Sequence, residues 1–237
     1  MTIDPIAEFR SPFTTKFGIP RQSGVVPELR GRIEMKPPFN TREAIRGLEE
    51  FDYLWLIWGF SANVNGPKHT TVRPPRLGGN VRMGVFATRS PFRPNNLGLS
   101  SVKLESIDLS HANGPIIYVS GADLMDKTPI FDIKPYVTFT DSHANAHSGF
   151  VDSEQWNTLT VTDPKGLTKH LPASEADMLI HILEQDPRPH YHDNPDRIYG
   201  MPFGKWEIHF SVNCGLLKIE DIAKQDETCL LTVWKNV

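Results

Sequence analysis

The sequence predicts a mostly β chain, with a strand-rich first domain over residues 1–145 and a small α+β domain over residues 146–237. Three observations predict it. Short apolar or alternating runs, cut by prolines and glycines, outnumber helical patterns through the first 140 residues. Residues 141–149, DSHANAHSG, are small and polar, as a linker would be. Beyond them, one amphipathic helical pattern precedes strands that alternate apolar and polar residues.

Residues 18–24, GIPRQSG, make a loop bracketed by glycines that presents Arg21 and Gln22. Residues 32–35 read as a strand ended by Pro37 and Pro38, and Asn40 or Thr41 can cap a short helix through Ala44, Ile45 and Leu48. Residues 53–60, YLWLIWGF, are almost continuously apolar and predict a fully buried strand, with Trp55 and Trp58 in the core. Residues 83–87 and 102–105 read as two more strands, so residues 88–96 form a loop carrying Arg89, Arg93, Asn95 and Asn96. Another strand is predicted at 116–120, followed by a largely apolar stretch holding Asp123, Asp126 and Asp132. In the second domain Ser174 can cap a helix running to Gln185, with Met178, Leu179, Ile182 and Leu183 on its apolar face. Trp206, Ile208 and Phe210 alternate with polar neighbours. With 216–222 and 228–234 they predict a three-stranded meander against that helix. The proline-broken residues 186–203 would expose Arg188, His190, Tyr191 and Arg197 to a partner.

Charge is distributed unevenly. No Asp or Glu occurs between Asp52 and Glu105, while Lys68, Arg73, Arg76, Arg82, Arg89, Arg93 and Lys103 add seven positive charges. The whole chain carries −3, so the remainder sums to about −10. Concentrating positive charge on one segment suits an anionic ligand, and a loop on a rigid frame can aim guanidinium forks at it. A solvated basic surface loop would carry the same residues.

Composition excludes other classes. No run approaches the ~20 apolar residues of a membrane helix, and residues 1–13 lack a signal-peptide layout. Two cysteines, Cys214 and Cys229, imply neither a disulfide framework nor a thiolate zinc site, and a soluble intracellular chain is expected. The His143/His147 and His190/His192 spacings can suit metal ligands. Lacking thiol partners, they predict no metal site.

GVFATRSPFRPNNLG (residues 84–98) resembles the signature of the TrmO family, also called YaeB or TsaA-like. PRQSG (20–24), GLEEFDYLWLIWGF (47–60), VRPPRLGGNVRMGVFATRSPFRPN (72–95), GADLMDKTPIFDIKPY (121–136) and QDPRPHY (185–191) follow in the family's order. The resemblance implies a single-sheet β-barrel methyltransferase domain, dimeric and cytoplasmic, with S-adenosylmethionine as donor and tRNA as substrate. It implies methylation at N6 of threonylcarbamoyladenosine, beside the anticodon. It places Pro20, Arg21, Gln22, Ser61, Ala62, Arg89, Leu97, Asp123, Leu124, Met125 and Asp126 at the donor. Two departures stand out: Ser61 where relatives commonly carry His, and Lys127 where they usually carry Gly. A positive φ at Lys127 would strain it.

The residues themselves are consistent with that chemistry. No glycine-rich strand-to-helix turn is present, which argues against the doubly wound sheet of most enzymes using this donor. The carbamoyl group makes N6 a poor nucleophile with a more acidic N–H, so a general base or a water path helps. Asp126 and Asp132 are the candidate bases. Arg73, Arg76, Arg93 and Asn95 are candidates for the threonyl carboxylate and tRNA phosphates. The alternatives are a catalytically silent RNA-binding module, or methylation of another RNA or nucleotide.

Overall fold

The computed structural model describes residues 2–63, 66, 68–77, 80–153, 157–188 and 194–225. Its first part contains β1 (Ala7–Arg10), β2 (Arg30–Met35), β3 (Tyr53–Gly59), β4 (Thr71–Val72), β5 (Met83–Gly84), β6 (Leu97–Asp108), β7 (Ile116–Ser120) and β8 (Thr128–Pro135). Two single-turn helices follow, α1 (Thr138–Asp141) and α2 (Phe150–Ser153). The second part holds β9 (Thr160–Thr162), α3 (Ala173–Glu184), β10 (Tyr199–Phe203), β11 (Trp206–Asn213) and β12 (Leu216–Lys224).

Six strands close into an antiparallel barrel in the order β1-β2-β7-β6-β3-β8, with β8 returning to β1. Closure leaves no sheet edge, and every strand sends alternate side chains inward. Phe9, Ile33, Leu54, Leu56, Val102, Ile117, Val119 and Ile130 fill the interior, none more than 1 % exposed. Each such side chain contributes about 1.5–3 kcal/mol through its removal from water.

Strand β3 is not buried on both faces as predicted. Leu54, Leu56 and Trp58 point inward, whereas Tyr53 is 44 % exposed and Trp55 and Ile57 are half-buried outside. The continuous apolar run serves two environments, because the outer face packs Trp55 against Tyr136 and lines a groove. The short helix expected from Asn40 or Thr41 is two 3₁₀ turns, Glu43–Ile45 and Leu48–Glu50, separated by Gly47 at φ 85°. Thr41 Oγ1 does accept the Ala44 N–H at 3.4 Å. The run 83–87 pairs only at Met83 and Gly84. Residues Val85–Ala87 turn as a 3₁₀ helix that buries Val85 and leaves Phe86 79 % exposed.

The second part is a four-stranded sheet, β10-β11-β12-β9, with β9 parallel to β12, and α3 packed on it. Met178, Leu179, Ile182 and Leu183 are the buried face of α3, as the periodicity predicts. The helix begins one residue before Ser174, and Trp206 Nε1 ties the sheet to it through Glu175 at 2.9 Å. β10 lies where an irregular connector was expected, because Tyr199, Met201 and Phe203 alternate inward across Gly200 and Pro202. Residues 228–234, His190, Tyr191, His192 and Cys229 lie outside the described residues.

One segment crosses between the two cores. Phe13, Val26 and Leu29, which precede β2 in the chain, are buried in the core of the second sheet rather than in the barrel. Pro12 O accepts the Gly204 N–H at 2.7 Å, and Gly18, at φ 92°, sits so close to Met201 that a Cβ would lie 2.3 Å from its sulfur. The loop that carries Pro20–Gln22 is therefore bracketed by residues belonging to the second core. None of the described helices is long and apolar enough to cross a membrane.

Candidate functional site

A groove of about 1930 Å³ opens on the barrel. Its floor is the outer face and end of β3 (Trp55, Ile57, Trp58), the start of β6 (Leu97, Gly98, Leu99), and Asp123 and Met125 from the β7–β8 connection. One rim is the loop Ile19–Gln22, and the other is the arginine-rich stretch between β3 and β6. Here the described lining includes Arg21, Arg73, Arg82, Arg89 and Arg93, and Asp123 as its single acid.

Asp123 is held from behind. Trp58 Nε1 donates to Ser100 Oγ at 3.0 Å, and Ser100 Oγ–H donates to Asp123 Oδ1 at 2.5 Å. Ser100 is 1 % exposed. The burial of Asp123 pushes its carboxyl above the usual carboxylate range, against the opposing pull of Ser100, its own backbone N–H and the nearby Arg89 charge. The geometry depends on Gly98, where a Cβ would lie 2.3 Å from the Trp58 ring. Inward-facing positions of β6 thus run Gly98, Ser100, Val102. The signal for Ser100 was in the sequence, as a hydroxyl at an inward position of an alternating strand. Sequence reasoning missed it, along with Gly98.

The rims meet above this floor. Arg89 Nη1 donates to Gln22 Oε1 at 2.5 Å, joining the arginine loop to the 19–22 loop. Arg21 reaches the other way, donating to the backbone oxygens of Asp186 and Arg188 at 3.5 and 3.4 Å. Arg93 Nη1 bonds its own loop at Thr88 O (3.1 Å) and Ser90 O (3.3 Å), and Arg82 bonds Thr71 Oγ1 at 3.1 Å. Arg73 is exposed.

Of the residues singled out from sequence, Pro20, Arg21, Gln22, Ser61, Ala62, Arg73, Arg89, Arg93, Asn95, Leu97, Asp123 and Met125 share this groove. Leu124 points into the barrel core, 1 % exposed. Arg76 falls within the 3₁₀ turn Pro75–Leu77. Asp126 does not line the groove. It accepts the Ser11 N–H at 3.2 Å and lies 4.0 Å from Arg10. Asp132 is likewise elsewhere, on β8 beside Lys134 at 3.2 Å. Lys127 takes φ 61°, the left-handed backbone expected to favour Gly, and its N–H is bonded to Phe9 O at 2.8 Å. Arg188 was expected to face a partner; instead it is half-buried in a fork-to-carboxylate pair with Asp186.

Residues 8–142 match the family model of the tRNA-methyltransferase O N-terminal domain, and residues 158–225 match the TrmO C-terminal domain. The chain belongs to the TrmO family. It is 38 % identical over 215 residues to the tRNA (adenine(37)-N6)-methyltransferase of Escherichia coli, covering 88 % of this chain and 90 % of that protein. It is 37 % identical over 233 residues to a Pseudomonas aeruginosa protein named provisionally as an S-adenosylmethionine-dependent methyltransferase, covering 95 % and 99 %. Among solved structures, TrmO from P. aeruginosa superposes with a TM-score of 0.76 at 34 % identity, covering 94 % of this chain and 97 % of that one. The TrmO match spans both cores, so the barrel and the four-stranded sheet both fall within the family's pattern.

Proposed function

We propose that this chain is an S-adenosylmethionine-dependent tRNA (adenine-N6)-methyltransferase acting on the threonylcarbamoyl-bearing adenosine beside the anticodon. The observation that carries the proposal is the groove floor: one carboxylate, Asp123, fixed from behind by Ser100 and faced by Arg89. The donor has complementary chemistry, with a carboxylate, an ammonium, a sulfonium and an apolar-faced adenine. Arg89 suits the carboxylate, Asp123 suits the cationic or hydroxyl edge, and Ile57, Leu97, Leu99 and Met125 offer apolar wall.

The bound donor supplies a methyl group already activated by the sulfonium. The protein's task is then placement. The floor orients one side of the groove. On the opposite rim Arg73 and Asn95 take the tRNA backbone, and Arg93 takes the threonyl carboxylate. Asp126 and Asp132 are engaged by Ser11 and Lys134, away from the groove lining. We therefore assign removal of the N6 proton to water in the open groove. A nitrogen that has gained a methyl group and carries positive charge is acidic enough for water to suffice. A homodimer is part of the proposal, supported by the exposure of Phe139 (92 %), Phe86 (79 %) and Leu99 (56 %), and a cytoplasmic location goes with the proposed tRNA substrate.

The test is methylation of tRNA with and without the threonylcarbamoyl group, together with donor binding by calorimetry. Donor binding and turnover of the modified tRNA alone are expected. Equal turnover of both tRNAs would refute the carboxylate reading. A chain that binds tRNA but no donor would be a silent RNA-binding module.

A further inference from the structure

The loop after α3 meets the groove's 19–22 rim at Arg21. Immediately after α3, Asp186 adopts φ 48° and bonds its N–H to Leu183 O at 3.2 Å. Its carboxylate takes Arg188 in a bidentate grip, Nε to Oδ1 at 2.8 Å and Nη2 to Oδ2 at 2.9 Å, and also accepts the Arg188 N–H at 3.3 Å. The pair is largely shielded, at 14 % and 18 % side-chain exposure. It is therefore less screened than a surface ion pair, and its planar fork fixes both residues' backbones. Those two backbones offer the carbonyls that Arg21 holds. These two bonds are long, so a small shift of the carbonyls weakens them. A cavity of about 190 Å³ lies beside them, lined by Ile19, Pro20, Arg21, Gln185, Asp186 and Pro187 among others, while Ile19 also packs against the second core.

We propose that Asp186 and Arg188 are a positioning pair for the methyl-donor site. They lock the loop whose carbonyls hold Arg21, and through Gln22 they set the position of Arg89 on the groove. This rests on the reading of the groove as the donor site, and it gives the second domain a share in donor binding.

The experiment measures S-adenosylmethionine binding by calorimetry, without tRNA, on the full-length wild type and on Arg188→Ala, Arg188→Lys and Asp186→Asn. Asn tolerates the left-handed backbone, so Asp186→Asn removes the ionic grip while keeping the turn. Donor affinity is expected to fall about tenfold in Arg188→Ala and Asp186→Asn, a typical size for coupling through a packed network. Lys lacks the planar fork and should not rescue. In turnover, KM for the donor rises while kcat at saturating donor stays near wild type, and tRNA affinity is unchanged. In an Arg21→Ala background, Arg188→Ala should add little, because the two act in series. Wild-type donor affinity in folded Arg188→Ala and Asp186→Asn would overturn the proposal. So would strictly additive effects of Arg21→Ala and Arg188→Ala, or a loss confined to tRNA affinity. A wild-type chain that binds no donor would overturn the groove assignment itself, and this proposal with it.

Discussion

The floor of the groove and its arginine rim are built on opposite principles. On the floor, Trp58, Ser100 and Asp123 form a hydrogen-bonded series within the barrel wall, each orienting the next. On the rim, Arg73 is exposed, and Arg82 and Arg93 bond nearby groups of their own segment. The floor is fixed before any ligand arrives, which suits a small molecule that must present one atom in line. The rim keeps long cationic side chains near solvent, which suits a polyanion bound through many weak, salt-sensitive contacts. Arg89 belongs to both regions, since it sits in the rim's loop but bonds Gln22 and bears electrostatically on Asp123.

That dual position makes Arg89→Ala the largest expected effect. The substitution removes the link between the rims and the positive charge beside Asp123. A charge-assisted hydrogen bond contributes about 1.5–3 kcal/mol, so kcat/KM should fall by about 100-fold or more once the electrostatic effect is added. Donor calorimetry on the folded variant checks it. Retained wild-type affinity would show that Arg89 serves the rim alone.

Floor substitutions rank next. In Gly98→Ala the new Cβ meets the Trp58 ring at 2.3 Å with no flexible end to yield. Overpacking of this kind costs about 1–3 kcal/mol and should appear as a lower Tm in calorimetry. Ser100→Ala should weaken donor binding by about tenfold, as loss of a hydrogen bond to a charged group does. It also has a pH signature. Ionised Asp123 is the form that attracts a cationic donor edge, and its carboxyl is already raised above its ordinary 3.8. Donor affinity in the wild type is therefore level at higher pH and falls as pH drops through that raised value. The Ser100 hydrogen bond opposes the rise, so Ser100→Ala raises it further and shifts the acid loss to higher pH. An unshifted profile would mean that Ser100 only fills space.

How much of this was legible differs by region for a physical reason. Four of the six barrel strands and the α3 face followed from periodicity, since alternation and the 3.6-residue repeat are local, whereas β1 and β8 were not read as strands. Loop residues such as Arg21, Arg89 and Asp123 came from resemblance, and they do converge on one groove. Three things were not legible. The outward turn of Trp55 needs the groove as a second apolar environment. The burial of Phe13, Val26 and Leu29 in the distant core depends on contacts across more than 140 residues of chain. The Asp186–Arg188 pair looked like exposed connector chemistry because a two-residue spacing says nothing of what the intervening backbone must hold.

The smallest single effect is expected at the rim, in the salt response of tRNA binding. If Arg73 neutralises one phosphate of a single-stranded loop, Arg73→Ala should reduce the slope of log affinity against log salt by about 0.7, with a few-fold loss of affinity at moderate salt. Arg93 should behave differently although it lies on the same rim. Its Nη1 bonds Thr88 O and Ser90 O, so Arg93→Ala loosens the loop that carries Arg89, and the cation it removes is one proposed for the threonyl carboxylate rather than for a phosphate. The expected signature is a fall in donor affinity with little change in salt slope. The two substitutions, each measured across a salt series for tRNA and by calorimetry for the donor, thus separate a residue that binds phosphate from one that shapes its loop. Equal slope changes in both would place Arg93 on the phosphate backbone. A flat slope in the wild type would remove the polyanion from the rim altogether and leave a groove built for a small anionic substrate.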